Sequence, residues 1–250
     1  MDDGGAFTLS EAWNDLGQCI ADGILLIGDH ASNHVPKGID LGIDPVLLNS
    51  HIALDIGVAD VAERLVDLGV VDAAILGGVS RLVVDCNRDP HAPGIIPISS
   101  DGHSVPGNAI SHDAHQARMA RFYHPYHAHI AATLAAARPA MIISLHSFTP
   151  ALSAHPDVAR PWQIGILYNE DDRLARVAIP AFAALGLTVG DQLPYSGKLL
   201  NYSMNRHAEA NAIPYLGIEM RQDKVSGGSG QMYFADMIGQ IITLCRHHLA

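Results

Sequence analysis

The chain alternates short, wholly apolar runs with longer segments whose apolar residues recur at helical spacing. Residues 23–28 (GILLIG) and 140–145 (AMIISL) are apolar without alternation, the pattern of strands buried on both faces of a sheet. Each run stops at a polar pair, Asp29-His30 and His146-Ser147. Residues 73–76, 81–85, 163–167 and 214–219 complete the predicted strands. Between them, Val58, Val61, Ala62 and Leu65 form one stripe, and Gly69 follows, which predicts a helix over 57–68 with a glycine stop. Asp44-Pro45 predicts a further helix start, a capping residue followed by proline at the first helical position. Residues 111–137 read as one or two helices interrupted near Pro125, and helices are expected over 171–185 and 234–248. The Pro-, Gly- and Ser-rich stretch 89–107 is a loop of a length that suggests a working role. Gly227-Gly228-Ser229-Gly230 lacks a following Lys-Ser/Thr and a strand directly before it, so it reads as a flexible connector or lid edge and not as a phosphate loop.

This alternation predicts one three-layer α/β/α domain over residues 1–250, with a mixed, largely parallel sheet. In such folds ligands sit beyond the carboxyl ends of the strands. The polar residues that directly follow apolar runs are therefore the ones to examine.

Composition narrows the function classes. A formal charge of −11 argues against a nucleic-acid binder, which needs a basic face. Fifteen histidines against fifteen Lys plus Arg raise the expectation of a metal site without locating one. Three scattered cysteines (Cys19, Cys86, Cys245) form neither a disulfide framework nor a thiolate zinc site, as expected of a reducing cytoplasm. No apolar run approaches the roughly 20 residues that span a bilayer, and the acidic start (Asp2, Asp3) is unlike a signal peptide.

Three segments place unusual chemistry at predicted strand ends: Asp29-His30-Ala31-Ser32-Asn33-His34, His146-Ser147, and Glu219 before Met220-Arg221. Two histidines and a carboxylate on neighbouring strand ends are the parts of an open zinc site with a general base. A fourth segment, Ser80 to Arg88 (SRLVVDCNR), ends on Asn87-Arg88, a guanidinium fork beside an amide, suited to a substrate carboxylate or an oxyanion. Each residue also has a plainer role. Asp55 could cap the helix that follows it. Glu219 could pair with Arg221, and Arg88 with Asp85 or Asp89. Arg81 is the more structural of the two arginines. His30 and His34 stand four apart, yet Ala31 occupies the position where zincins carry Glu, so His34 reads as supporting. The histidines at 112, 115, 124, 127 and 129 read as helix residues, with His124 and His127 candidates for the cleft edge. His247-His248 reads as a helix end meeting the negative dipole pole.

The strings DHASNHVP, LDIG at Leu54–Gly57, SRLVVDCNR, HPYH at His124–His127, SLHS, PYSGK at Pro194–Lys198 and IEMRQD together resemble the N-formylglutamate amidohydrolase family, itself related to zinc carboxypeptidases and the aspartoacylase group. The resemblance covers nearly the whole chain. It implies a phosphorylase/hydrolase-like fold, a divalent metal, with zinc the first choice, and hydrolysis of a small anionic N-acyl amino acid. N-formylglutamate, giving glutamate and formate, is the named candidate, a reaction of amino-acid catabolism. It assigns metal ligation to His30 and His146, the general base to Glu219, and the substrate carboxylate to Asn87 and Arg88. The Tyr195-Ser196-Gly197 turn is implied at the substrate, with Lys198 adding charge, and Ser147 and Arg221 join the expected binding set. One position departs from the pattern. Carboxypeptidase-like sites carry His-x-x-Glu, whereas Asn33 stands here, so Asn33 or, preferentially, Asp55 is expected to complete the metal shell. Two other readings stay open at this point. One is a carboxypeptidase-like or other amide hydrolase with the same centre. The other is a binding protein that has lost catalysis.

Overall fold

The computed structural model describes residues 11–249; Asp2 and Asp3 lie outside them. Strands β1 (Trp13–Gly17), β2 (Ile24–Gly28), β3 (Ala73–Gly77), β6 (Met141–Phe148), β7 (Ile164–Leu167), β8 (Val189–Asp191) and β9 (Tyr215–Arg221) form a seven-stranded sheet, while β4 (Ser99–Ser100) and β5 (His103–Ser104) make a small separate hairpin. The sheet order is β1-β3-β2-β6-β9-β7-β8. The central four strands, β3, β2, β6 and β9, run parallel; β1 is antiparallel to β3, and the parallel pair β7–β8 is antiparallel to β9. The sheet is thus mixed and mostly parallel, as the sequence predicts.

The unbroken apolar runs are explained by burial on both faces. Ile24 and Leu26 of β2, with Met141, Ile143 and Leu145 of β6, join a core with α1 (Val58–Asp67), α4 (Arg173–Ala184) and α7 (Gly228–Leu249). Leu25, Ile27 and Ile142 point the other way, into a core that holds Phe122, Tyr126 and Ile130 of the 112–136 helical stretch and Met204 of α5 (Tyr202–His207). Period-two alternation that would separate core from water in a one-sided sheet here divides two cores.

Several expectations change in detail. Residues 81–85 form no strand. The Ser80 hydroxyl accepts from Leu82 N–H and donates to the Ala53 carbonyl, and Val83 N–H returns to the Ser80 carbonyl, so the chain turns while Leu82, Val83 and Val84 stay buried. Short apolar runs do not by themselves distinguish strand from buried turn. The glycine cluster at 227–230 is not a connector. Gly228 opens α7, and a Cβ on Gly230 would collide with the Lys224 carbonyl oxygen in α6 (Gln222–Val225), so the cluster permits close packing of a helix start. Asp44-Pro45 starts only a short 3-10 turn, with the Asp44 carboxylate accepting from Val46 N–H at 2.9 Å. The helix over 112–136 is one path with a change of pitch. α2 (His112–Arg118) and α3 (His124–Ala136) flank a π-type turn at Met119–Tyr123, placed just ahead of Pro125, which offers no N–H and crowds the preceding turn.

Candidate metal centre and cleft

Parallel strands bring their carboxyl ends to one edge, and that edge carries the site. β2 delivers Asp29 and His30. His146 in β6 lies in register with Glu219 in β9. The loop from β2 approaches β3 closely because residue 77 is glycine; a Cβ there would collide with the Asp29 carbonyl oxygen. Asp55 N–H donates to the His30 carbonyl at 2.9 Å, holding the loop ahead of α1 against the end of β2. The cap of α1 is Gly57, with no side-chain cap bond, so the Asp55 carboxylate is free to turn into the cleft.

Asp55, His30 and His146 are buried, and one ligand atom from each lies within 4.8 Å of the others. His146 Nδ1 stands 2.9 Å and His30 Nδ1 3.4 Å from Asp55 Oδ2. Each imidazole turns its other nitrogen to a second carboxylate: His30 Nε2 meets Asp85 Oδ1 at 2.7 Å, and His146 Nε2 faces Asp29 Oδ2 at 3.4 Å. A carboxylate behind each histidine is the arrangement that fixes tautomer and ring orientation in metal sites. Arg81 bridges the front and back of this set, with its guanidinium 3.1 Å from Asp55 Oδ1 and 3.0 Å from Asp85 Oδ2. Arg88 Nε donates to the same Asp85 oxygen at 3.1 Å.

The electrostatics ask for a cation. Three buried carboxylates (Asp29, Asp55, Asp85) and Glu219 face only two arginines. Burial and the Arg81 charge alone would depress His30 protonation, yet Asp85 and Asp55 raise its pKa overall. Burial also opposes protonation of His146, but Asp29 and Asp55 raise it well above the usual imidazole value. Burial would likewise raise Asp29, but His146 and His30 hold it at about 2. Protonated histidines thus supply positive charge that a divalent ion can replace. The buried polar atoms without a hydrogen-bond partner include His30 Nδ1, Asp29 Oδ2 and Glu219 Oε2. Unpartnered buried groups are costly; His30 and Glu219 line one cleft, with Asp29 behind His146, and unpartnered atoms of both signs at that cleft fit a bound metal and substrate. His30, Asp55 and His146 match the nitrogen and oxygen donor set of catalytic zinc.

Glu219 sits on the same wall, 6% exposed. Burial is the main reason its pKa rises to about 7; Asp55 pushes it further up and the His146 charge opposes.

The cleft, of about 170 Å³, is lined by His30, Asp55, His146 and Glu219, and by Asn87, Arg88, Ser147, Tyr195 and Leu200. Asn87 lies 3.4 Å from His146 Nε2 through its amide nitrogen and accepts from Ser203 N–H through its oxygen. Ser147 donates its hydroxyl to the Ile56 carbonyl. The Tyr195 hydroxyl accepts from Arg160 at 2.9 Å, in the loop that follows the cis Leu193–Pro194 bond.

Not every predicted residue comes here. Asn33, offered as a metal ligand, points away and donates to Asn49 Oδ1 at 3.1 Å; Asp55 stands in the cluster instead. The strand has ended by residue 29, so position 33 lies on a loop that has already left the cleft. Ser196 accepts from Lys198 N–H and does not line the cleft. Arg221 forks onto Asp223 and the carbonyls of Arg160 and Pro161; it pairs with neither Glu219 nor the cleft. His124 is exposed, and His127 is buried, with Nε2 3.0 Å from the Cys86 carbonyl oxygen and Nδ1 2.8 Å from His207 Nε2. Since a carbonyl only accepts, His127 Nε2 carries the proton and Nδ1 accepts from His207. Burial is the first cause that holds these two rings neutral, at about 3 and about 4.

The sequence suggests only a structural role for Arg81, pairs Asp85 with Arg88 as the structure does, and gives no separate role to Asp29 or His51. Asp29 had a signal, an acid directly before a strand-end histidine. Asp85 and Arg81, four apart, share a face in either a strand or a turn of helix, and their pairing in the structure follows that spacing.

The chain matches the family described as N-formylglutamate amidohydrolase over residues 23–225. Among curated proteins none matches the sequence significantly. Among solved structures, a gene product of Agrobacterium tumefaciens is 28% identical, with a TM-score of 0.86, covering 96% of this chain and 97% of that one. The N-formylglutamate amidohydrolase of Ralstonia eutropha JMP134 is 16% identical, with a TM-score of 0.67 and coverage of 96% and 98%, a likeness of fold. No helix among the described residues is long and apolar enough to cross a membrane.

Proposed function

The chain belongs to the N-formylglutamate amidohydrolase family, and from that premise we propose that it hydrolyses the amide bond of a small anionic N-acyl amino acid, with N-formylglutamate the first candidate. The observation that carries this reading is the convergence of the His30, Asp55 and His146 ligand atoms with a buried, unpartnered Glu219 oxygen in one small cleft. His30, Asp55 and His146 would hold a divalent metal, zinc by donor type. When bound, such an ion supplies Lewis acidity, polarising the scissile carbonyl and lowering the pKa of water to about 7.

The protein's own groups do the rest. Glu219 takes a proton from the attacking water at its unpartnered Oε2 and passes it to the leaving amine nitrogen, an exchange suited to a buried carboxyl whose proton affinity burial raises. Arg88 keeps its terminal guanidinium nitrogens for the substrate carboxylate while Nε rests on Asp85. Asn87 adds an amide beside it. Asp85 and Asp29 hold the two imidazoles in place, and Arg81 restrains Asp55 and Asp85. Tyr195 and Leu200 narrow the cleft against water.

A cleft of about 170 Å³ lies well under the roughly 300–1,000 Å³ of drug-sized pockets, which favours a small acyl group over a peptide chain at the centre. Asn33, an amide where a carboxylate ligand is expected, favours a binding protein that has lost catalysis; an aspartate in the ligand cluster weighs against it. The test is a hydrolysis screen of N-formyl, N-acetyl and N-succinyl amino acids with and without added zinc, manganese or iron. Metal-dependent release of an amino acid is expected, and no turnover of any member under any metal would sink the reading. The cytoplasm and a single catalytic unit over the whole chain belong to the same proposal.

A further inference from the structure

Beyond the inner cleft, the walls open into a second chamber of about 420 Å³, against about 170 Å³ inside. His51, Arg81, Asp85, Arg88 and Tyr195 line both, so the two spaces adjoin and Arg88 borders each of them. The outer chamber lies between the β4–β5 hairpin on one side and residues 152–155 on the other.

Asp101, at the tip of that hairpin, ties the rim together. Its Oδ2 accepts from Ser153 N–H at 2.7 Å and meets His51 Nε2 at 2.8 Å, and its Oδ1 accepts from Ala154 N–H at 3.0 Å. Three loops, those carrying His51, Asp101 and Ser153, thus converge on one carboxylate. Asp101 adopts a left-handed backbone (φ 43°), a conformation that non-glycine residues take at a cost, and this turn aims its side chain across the opening. Specific bonds therefore fix the rim of the chamber. Its free hydrogen-bonding groups are polar: Ser99 and Ser100 hydroxyls, the His155 ring and the outer nitrogens of Arg88 have no partner among the described residues.

We propose that this outer chamber is a subsite for a polar extension of the substrate's amino-acid side chain, so that preferred substrates reach further than glutamate itself. The inference rests on the amidohydrolase reading. With the acyl group inward at His30, His146 and Glu219, and a carboxylate on Arg88, the inner cleft has room for little else. The side chain must leave through the outer chamber. An apolar side chain there would strip water from the serines and His155 without replacing its hydrogen bonds, which is penalised; an amide- or carboxylate-bearing extension replaces them.

The experiment compares kcat/KM for N-formylalanine, N-formylleucine, N-formylglutamate and N-formyl-γ-glutamylglycine, with the zinc-loaded protein and two variants. Ser100→Trp and Ala154→Trp fill the chamber from opposite walls and touch neither the metal cluster nor Glu219. In the wild type the γ-extended substrate should exceed N-formylalanine and N-formylleucine by roughly tenfold or more, the scale of one or two side-chain contacts, and should also exceed N-formylglutamate; equality with N-formylglutamate overturns the subsite. Each variant should remove that advantage and leave N-formylalanine unchanged, which also reports that it has folded. Hydrolysis of N-formylalanine with no gain for the longer polar substrates, or an unaltered ranking in the variant that folds, overturns the subsite and leaves the amidohydrolase reading standing. Hydrolysis of none of the four overturns both.

Discussion

Replacing Glu219 by Gln keeps the shape of the side chain and removes its charge, which separates two consequences of burying a carboxyl with an unpartnered oxygen. The first is thermodynamic. Burial raises the carboxyl from its ordinary 4.5 to about 7 in the metal-free protein, a difference worth about 3 kcal/mol. The sign follows from which state ionises first. Below pH 4.5 the group is neutral whether the chain is folded or not, and its contribution to stability is intact. As pH rises, the unfolded chain releases its proton first, and the folded state loses up to that amount as pH passes 7. Gln escapes this loss. Metal-free wild type and E219Q should share a melting point near pH 4 and diverge by pH 8.5, with the variant melting higher by roughly 6–12 °C at most. Thermal scans of chelated protein across that range read the difference. Identical melting curves at alkaline pH, or a variant less stable throughout, would refute the view that Glu219 carries an uncompensated buried charge. The second consequence is kinetic. With metal bound, E219Q should lose roughly 10²–10⁴-fold in turnover while still binding the ion, and near-normal turnover would remove Glu219 as the base.

The remaining expectations concern the donor set and the anchor. Zinc at about a hundred times its Kd should stabilise the wild type by about 2.7 kcal/mol, and His146→Ala should abolish the thermal shift; a shift that persists would place the ion elsewhere. Because carboxylates raise the His30 and His146 pKa values, protons compete with metal, so affinity measured by titration should fall as pH drops from 8 to 5, and a flat profile would contradict ligation by these rings. Asp29→Asn takes the carboxylate from behind His146 and should weaken metal binding roughly 10–100-fold without unfolding the protein; unchanged affinity would leave Asp29 a purely structural acid. Arg88→Ala should raise KM for acidic N-acyl amino acids roughly tenfold or more with a smaller effect on kcat, and an effect confined to kcat would move Arg88 from the anchor to the reacting centre.

How much of this was legible in the residues follows from the range over which each signal acts. Runs such as GILLIG and AMIISL declare strands buried on both faces, because a strand is a local object and its burial is written in consecutive side chains. Once the strands are placed, the polarity of a parallel sheet brings Asp29-His30, His146 and Glu219 to one edge, so that much of the candidate site follows from the sequence. The family strings carried the choice of Arg88 and the doubt over Asn33.

Tertiary structure decided the rest, because it depends on contacts between distant segments. Residues 81–85 look like a strand and form a turn, since Ser80 bonds to Ala53, 27 residues away. Asp55 reads from the sequence either as a helix cap or as a metal ligand, and the fold turns it to His146, 91 residues on, because Gly57 occupies the cap and the loop is pinned to His30. Asn33 looks like a ligand by spacing, yet the chain has already turned from the cleft. The glycines at 227–230 look like a loop and open a helix, whose first turn packs so closely on Lys224 that residue 230 has no room for a side chain. The sequence by itself therefore determined the central strands and the edge on which chemistry collects, while the edge strands Trp13–Gly17 and Val189–Asp191 carry no such apolar run. Which of the polar residues on that edge face one another, and the outer chamber held by Asp101, were decided only by the packing of loops, whose partners no local pattern encodes.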